Sequence, residues 1–281
     1  MTDETDALSL AYSPCPNDTY IFAALTNGLL ENAPRVRVEL EDIEKLNDSA
    51  ALGRYELTKV SYGAIPYLTD RYRILRSGGA LGRGCGPLLV AKPGTGTSLD
   101  DFREKLVAIP GERTTAFLLL QLALGVRPPV RAVRFDHIVR AVADGSVAAG
   151  LIIHESRFTY QDAGLVCVAD MGAWWESVTD LPIPLGAILV RDDLDDARAR
   201  TVDDAIARSL AFARSHEDAI VPYVREHAFE MNDDVMRKHI ALYVNEFTDD
   251  LGPIGERAVE ELFRRAQQAR IVPAAAAPVF V

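Results

Sequence analysis

The sequence predicts an α/β protein made of two lobes, with a ligand cleft between the lobes. Segments typical of strands and helices alternate from residue 8 onward. The alternation begins again after a Pro-Gly-Thr-Gly loop at 93–96, which indicates a second sheet. The pattern at 201–269 is nearly all helical, and such a block needs a sheet to cover.

The first lobe is predicted from a β-α-β-α-β order. Val36, Val38 and Leu40 alternate with charged residues, as in a half-buried strand, and Asn27-Gly28 is a helix stop. This order implies a parallel sheet with helical crossovers. The predicted elements are a strand at 8–12, a helix at 18–26 capped by Asn17 or Asp18, a strand at 36–40, a helix at 43–52 and a strand at 57–61.

The second lobe repeats the alternation, and the helical block follows it. We assign residues 1–87 and 190–281 to lobe one and residues 88–189 to lobe two. Breaks in the helical block are expected at 222, 232–233 and 252–253, and an extended tail at 274–277. The predicted elements of lobe two are strands at 88–92, 106–109, 130–135, 148–153 and 165–169, helices at 114–124 and 138–144, and a strand at 185–190 that leaves the set.

Charge and hydropathy exclude several classes of function. The chain has 281 residues, and 30 lysines and arginines against 41 aspartates and glutamates give a net charge of −11. Nucleic acids and anionic membranes bind basic surfaces, so neither is expected as a partner. No uncharged run approaches the roughly 20 residues that span a bilayer, and the acidic N-terminus does not resemble a secretory signal. We therefore expect a cytoplasmic protein.

The cysteines and histidines give no sign of a metal or disulfide framework. Cys15, Cys85 and Cys167 are few and widely spaced, which is typical of free thiols. No His, Asp and Glu cluster has metal-ligand spacing, so a metal is not expected. Motifs of nucleotide hydrolysis and of serine hydrolases are absent from the sequence.

Polar residues follow two strands of the first lobe, at the sheet edge where α/β proteins bind ligands. Asn17 and Asp18 crowd the start of a helix, where they could either cap it or contact a ligand. Lys59 lies in an apolar strand two residues before Ser61. A charge there either faces an anion or reaches outward to solvent.

Polar residues also follow two strands of the second lobe. Thr114 and Thr115 follow a Pro-Gly turn at a helix start, where free amides and hydroxyls suit a carboxylate or phosphate. The alternative is a plain threonine cap. His154 follows a buried strand, with Glu155 next to it. An imidazole at this edge could be a general base or a structural histidine.

Together, four segments resemble the 1,4-dihydroxy-6-naphthoate synthase family of the futalosine route to menaquinone. The resemblance covers most of the chain, in the expected order, and the first segment is the most specific. The segments are Ser-Pro-Cys-Pro-Asn-Asp-Thr at 13–19, Lys-Val-Ser-Tyr at 59–62, Pro-Gly at 110–111 with Thr-Thr at 114–115, and Gly-Leu-Ile-Ile-His-Glu at 150–155.

The resemblance implies a two-lobed fold similar to type II periplasmic binding proteins. It also implies a lyase that converts cyclic dehypoxanthine futalosine, a small carboxylate, to 1,4-dihydroxy-6-naphthoate and a sugar-derived fragment, without a cofactor. His154 would be the general base. The implied substrate contacts are Lys59, Val60 and Ser61 on one lobe, and Thr114 and Thr115 on the other.

Two alternatives stay open. Chorismate dehydratase, of the same pathway, would have the same lobes, and a solute-binding protein without catalysis would share the fold. A transporter's capture protein must be exported, so the absence of a signal sequence argues against the second alternative. No pattern in the sequence indicates an oligomeric state.

Overall fold

Strands and helices alternate through two sheets in the computed structural model, which describes residues 7–228, 233–274 and 277–281. The strands are β1 (Leu8–Tyr12), β2 (Val36–Leu40), β3 (Leu57–Ser61), β4 (Tyr72–Ile74), β5 (Ala80–Gly82), β6 (Leu88–Ala91), β7 (Val107–Ile109), β8 (Val130–Ala132), β9 (Ala149–Ile152), β10 (Val166–Asp170) and β11 (Ile183–Arg191). The helices are α1 (Pro16–Thr26), α2 (Ile43–Ala51), α3 (Thr115–Leu124), α4 (Ile138–Ala143), α5 (Ser156–Thr159), α6 (Met171–Thr179), α7 (Asp196–Ser215), α8 (Glu217–His227), α9 (Asp233–Tyr243), α10 (Glu246–Asp249) and α11 (Gly252–Gln268).

Both sheets are mixed, although the alternating pattern predicted a parallel first sheet. In the first sheet, with order β2-β1-β3-β11-β4, β1 runs parallel to β2 and β3, whereas β11 runs antiparallel to β3, β4 and β5. In the second sheet, with order β10-β6-β9-β7-β8, β7 runs parallel to β8 and β9, whereas β6 runs antiparallel to β9 and β10. The antiparallel strands come from distant parts of the chain, so a local pattern does not reveal them.

The chain changes sheets between β5 and β6, and returns between β10 and β11. The predicted lobe boundary after residue 189 is therefore wrong, because it cuts β11, which pairs with three strands of the first sheet. Apolarity marks 185–190 as a strand, but only its hydrogen-bond partners decide which sheet it joins. The assignment of the other residues to the two lobes stays a prediction.

The C-terminal helices cover the first sheet through α1. Val202, Ile206 and Leu210 recur at four-residue spacing on α7, and all three are buried in the cluster that holds α1. The Ser209 hydroxyl beside them donates to the Ile21 carbonyl of α1 at 2.6 Å. α7 therefore fixes the position of α1, whose first turn forms part of the site described below.

The predicted break at Pro222 is wrong, because α8 runs through this residue and the break lies at His216. Proline removes one backbone hydrogen bond early in the helix, while Ile220 and Val224 on either side of it are buried and hold the turn in place. The predicted tail at 274–277 falls partly outside the described residues. Among those described, no helix is both long and apolar enough to cross a membrane.

One apolar core joins the two sheets. It contains Val60 and Leu189 from the first sheet, Leu89 and Val107 from the second, and Phe117 from α3, all nearly or fully buried. Burial of this kind stabilises a fold by roughly 25 cal/mol for each Å² of apolar surface. The shared core therefore holds the two sheets against each other and fixes the cleft between them.

Candidate active site

A cavity lies between the two lobes, near the ends of β3 and β9 and the start of α3. The cavity and its mouth together enclose about 640 Å³, part of which is open to solvent. Every residue predicted to form the site lines it, with the exception of Val60. The lining residues are Ser13, Asn17, Asp18, Ile43, Lys59, Ser61, Ala80, Cys85, Pro87, Thr114, Thr115, Ala116, Ile153, His154, Leu185, Gly186, His239 and Tyr243.

A buried ion pair forms the wall of the cavity contributed by lobe one. Lys59 Nζ lies 2.8 Å from Asp18 Oδ1, and the two side chains are only 4% and 3% exposed. Asn17 Nδ2 donates to the same Oδ1 at 2.8 Å, and the Ser13 hydroxyl donates to Oδ2 at 2.7 Å. The anion expected beside Lys59 is therefore supplied by the protein itself, and the alternative of a solvated lysine is wrong.

Asn17 and Asp18 do not cap α1. The helix begins at Pro16, and Cys15 occupies the cap position without a side-chain hydrogen bond to the helix. Proline is favoured at the first helical position because its φ is already helical and its missing N–H has no partner to lose there. Asn17 and Asp18 therefore lie in the first turn, buried at the cavity. Ligand contact by these two residues stays a prediction.

Strand alternation separates the three residues predicted on β3. Lys59 and Ser61 line the cavity, whereas Val60 lies on the opposite face of the strand and is fully buried in the core. The Val60 side chain therefore does not reach the cavity, and substrate contact through its backbone stays a prediction. Asn47 holds Ser61 in place, accepting from its amide at 2.9 Å and donating to its hydroxyl oxygen at 3.3 Å. The Ser61 hydroxyl donates to no acceptor among the residues that the structure describes, so its proton is available to a ligand.

The start of α3 presents free amides rather than free hydroxyls. Thr114 is the N-cap, since its hydroxyl accepts from the Phe117 amide at 3.3 Å and donates to the Gly111 carbonyl at 2.8 Å. Within the part of the chain that is described, no acceptor is bonded to the amides of Thr115 and Ala116. These amides carry the partial positive charge of a helix N-terminus and suit an anionic group.

Hydrogen bonds of Thr115 and Glu44 tie the lobes together across the cavity. The Thr115 hydroxyl donates to the Leu185 carbonyl of β11 at 2.7 Å and accepts from the Gly63 amide at 3.0 Å, so its proton is already engaged. Glu44, on α2, accepts from the amide of Glu112 at 2.7 Å. Each bond joins the first sheet, or an element beside it, to the loop or helix that follows β7.

His154 stands at the cavity in a strained conformation. Its φ of +56° is uncommon for a residue other than glycine, and such strain is often found at functional sites. The Nδ1 atom lies 3.3 Å from Cys15 Sγ, and Phe135 meets the ring edge-on at 4.9 Å between centroids. Burial, opposed by Asp18 and aided by Lys59, lowers the pKa of His154 to about 4. The imidazole is therefore neutral near pH 7 and can accept a proton.

Cys15, His154 and Glu155 form the one group described that could hold a metal ion, with ligand atoms all within 4.8 Å of one another. Thiolate, imidazole and carboxylate are the ligands that Zn²⁺ prefers. Sequence spacing could not reveal this group, because Cys15 is distant in the chain. Burial raises the pKa of both the Cys15 thiol and the Glu155 carboxyl, so protons would compete with a metal for these atoms.

His239 and Tyr243 also line the cavity, from α9, although neither was predicted from the sequence. His239 is fully buried, and its Nε2 lies 2.9 Å from Asn17 Oδ1. A signal was present, because Met236, His239 and Tyr243 recur at the spacing of one helix face, and all three are buried. Cys85 also lines the cavity, and burial raises the pKa of its thiol to about 12.

Known proteins resemble this chain over nearly its whole length. A family model described as menaquinone biosynthesis matches residues 8–268. A 1,4-dihydroxy-6-naphthoate synthase from Thermus thermophilus is 50% identical over 276 residues, which is 98% of this chain and 100% of the relative. A synthase of the same name from Streptomyces coelicolor is 46% identical over 274 residues, or 96% of each chain.

Solved structures agree with the predicted fold class. Protein AF1704 from Archaeoglobus fulgidus is 33% identical with a TM-score of 0.89, over 96% of this chain and 100% of that one. The alkanesulfonate-binding protein SsuA from Xanthomonas axonopodis pv. citri, solved with MOPS, has a TM-score of 0.76 at 12% identity. The match covers 98% of this chain and 97% of that one. The second likeness shows the fold alone, and it confirms a two-lobed architecture of the periplasmic-binding-protein kind. With the family model spanning most of its length and two relatives sharing about half of its residues, this chain belongs to the menaquinone biosynthesis family.

Proposed function

We propose that this protein is a 1,4-dihydroxy-6-naphthoate synthase, a lyase that converts cyclic dehypoxanthine futalosine to 1,4-dihydroxy-6-naphthoate and a sugar-derived fragment. The observation that carries the proposal is a neutral imidazole, His154, at a cavity between two lobes, in a chain about half identical to synthases of this name. The proposed setting is the cytoplasm.

The substrate carboxylate binds at the start of α3. The amides of Thr115 and Ala116 face no protein acceptor among the described residues, and the helix N-terminus adds partial positive charge. Ser61 can add its hydroxyl proton from the facing lobe. The hydroxyls of Thr114 and Thr115 are engaged within the protein, so these residues act through the backbone and through the shape of the turn.

His154 removes a proton from the bound substrate. For Nε2 to accept that proton, Nδ1 must carry the ring's other proton and donate it toward Cys15 Sγ, 3.3 Å away. Proton removal starts the fragmentation, and formation of the aromatic naphthalene diol helps to drive it. A well-placed general base typically contributes about 10²- to 10⁴-fold in rate.

Closure of the lobes keeps water from the reacting atoms. The Thr115 contacts to β11 and to Gly63, together with the Glu44 contact to the loop before α3, hold the two lobes together beside the cavity. In the proposed sequence of steps, these contacts keep the lobes closed over the bound substrate. This proposed sequence of steps uses no metal or redox cofactor.

The proposal is tested by incubating the purified protein with cyclic dehypoxanthine futalosine and, in parallel, with chorismate. We expect 1,4-dihydroxy-6-naphthoate from the first incubation and unchanged chorismate in the second. Consumption of chorismate alone would instead identify a dehydratase. Tight binding of the futalosine derivative without turnover would identify a solute-binding protein, and either result would overturn the proposal.

A further inference from the structure

His239 is one of the buried titratable groups at the cavity that the mechanism above does not use. It is fully buried on α9 and lines the cavity. Its ring lies 6.3 Å from the His154 ring between centroids, with the two planes 20° apart. A side chain this close to the proposed base is placed to contact the same ligand.

The hydrogen bonds around Asn17 determine which nitrogen of His239 carries a proton. The Asp18 carboxylate, paired with Lys59, can only accept, so the Asn17 atom 2.8 Å from it must be the donating Nδ2. Asn17 Oδ1 is then left to accept, and the atom that faces it at 2.9 Å is His239 Nε2. His239 Nε2 therefore carries a proton and donates it to Asn17.

The other ring nitrogen of His239 is a lone-pair acceptor. Nδ1 is buried and has no hydrogen-bond partner among the residues that the structure describes. A proton there would create a buried charge with an unpaired donor, so the ring is neutral and Nδ1 has no proton. Unpartnered buried polar atoms are rare in folded proteins, and because His239 lines the cavity, a ligand bound there can supply the missing partner.

We propose that Nδ1 of His239 accepts a hydrogen bond from a hydroxyl group of the bound substrate, which makes His239 a specificity-determining residue of this site. The inference rests on the proposed function for the identity of the substrate. The hydrogen bonds that lead from Lys59 through Asp18 and Asn17 to the ring make Nδ1 an acceptor. This position therefore favours a substrate hydroxyl and disfavours a carbonyl or an ether oxygen.

Two substitutions at His239 separate its two nitrogens. His239→Gln keeps a donor toward Asn17 but removes the acceptor at Nδ1, whereas His239→Asn places an oxygen near the Nδ1 position and gives up the donor. Both are assayed with cyclic dehypoxanthine futalosine and with analogues that each lack one hydroxyl. We expect His239→Gln to lower kcat/KM by roughly 10- to 100-fold, mainly through KM, and His239→Asn to lower it less.

The analogues decide between substrate recognition and a structural role. One analogue should be turned over equally by the wild type and His239→Gln, because it lacks the hydroxyl that donates a hydrogen bond to Nδ1. Equal losses with every analogue, or an unchanged kcat/KM for the full substrate, would overturn the inference. Turnover by the wild-type protein in the same assay separates this failure from failure of the proposed function.

A measurement on the free protein tests the tautomer without any substrate. Long-range ¹H–¹⁵N correlation spectra distinguish a protonated from an unprotonated ring nitrogen. We expect His239 to show a protonated Nε2 and an unprotonated Nδ1 at pH 7. A proton on Nδ1 would contradict the acceptor role, whatever the activity assays give.

Discussion

Replacing Lys59 by methionine should destabilise the protein by about 3–5 kcal/mol, because a buried carboxylate loses its counter-charge. Lys59 Nζ lies 2.8 Å from Asp18 Oδ1, and neither side chain is more than 4% exposed. Ser13 and Asn17 would still donate to the carboxylate, but neither neutralises its charge. Methionine is close to lysine in length and leaves little empty volume, so the loss reports on charge.

The assay is urea unfolding at pH 7, with Arg54→Met as a matched control. Arg54 pairs with Glu39 at 2.7 Å, but the two side chains are 54% and 41% exposed. Exposed pairs contribute about 0–1 kcal/mol, so the control should change little. Asp18→Asn combined with Lys59→Met should recover part of the loss. A loss of under about 1 kcal/mol for Lys59→Met alone would refute the reasoning, since the cost of an unpaired buried charge is larger.

Three further predictions concern pH, lobe closure and metals. The pKa of about 4 for His154 predicts that kcat/KM, measured from pH 8 down to pH 3, falls as the pH is lowered, with an inflection near pH 4 rather than near 6.5. Because this pKa lies below the unfolded value of about 6.5, stability is complete above pH 6.5 and falls toward pH 4, by up to about 3 kcal/mol. In His154→Gln, the free energy of unfolding should depend less on pH between 6.5 and 4, and an unchanged dependence would contradict the assignment. Thr115→Val should cost about 1–3 kcal/mol in urea unfolding, since it leaves the Gly63 amide and the Leu185 carbonyl without their partner. The same change at exposed Thr201 is the control, and equal effects would contradict a lobe-joining role. Dialysis against a chelator should leave kcat unchanged, and activity that returns only with added metal would contradict the metal-free mechanism.

The fold could largely be predicted because its elements carry their own local signals. Strand alternation at Val36, Val38 and Leu40 predicted β2 to the residue. The apolar helix after the Pro-Gly turn was likewise predicted, within one residue of its start. Sheet order was harder, because β11 joins β3, β4 and β5 from a point more than 90 residues further along the chain. Contacts between distant segments leave no local pattern.

The candidate site was predicted in outline but not in its bonding. Lys59 looked like an anion contact, and only the structure shows that Asp18 already supplies the anion. The hydroxyls of Thr114 and Thr115 looked free, yet both are engaged within the protein. His239 did not stand out in the sequence because charged residues surround it, although its own helix face is buried. Residue type predicted which positions matter, and tertiary contacts decide what each one does.

The central claim, that His154 is the proton acceptor of a lyase reaction, is tested most directly by His154→Gln. The measurement is kcat with cyclic dehypoxanthine futalosine, alongside the Kd for 1,4-dihydroxy-6-naphthoate, with His137→Gln as control, since that side chain is 63% exposed. We expect kcat to fall by about 10²- to 10⁴-fold in His154→Gln, with the Kd and the control near wild type. A near-normal kcat in His154→Gln would contradict the account.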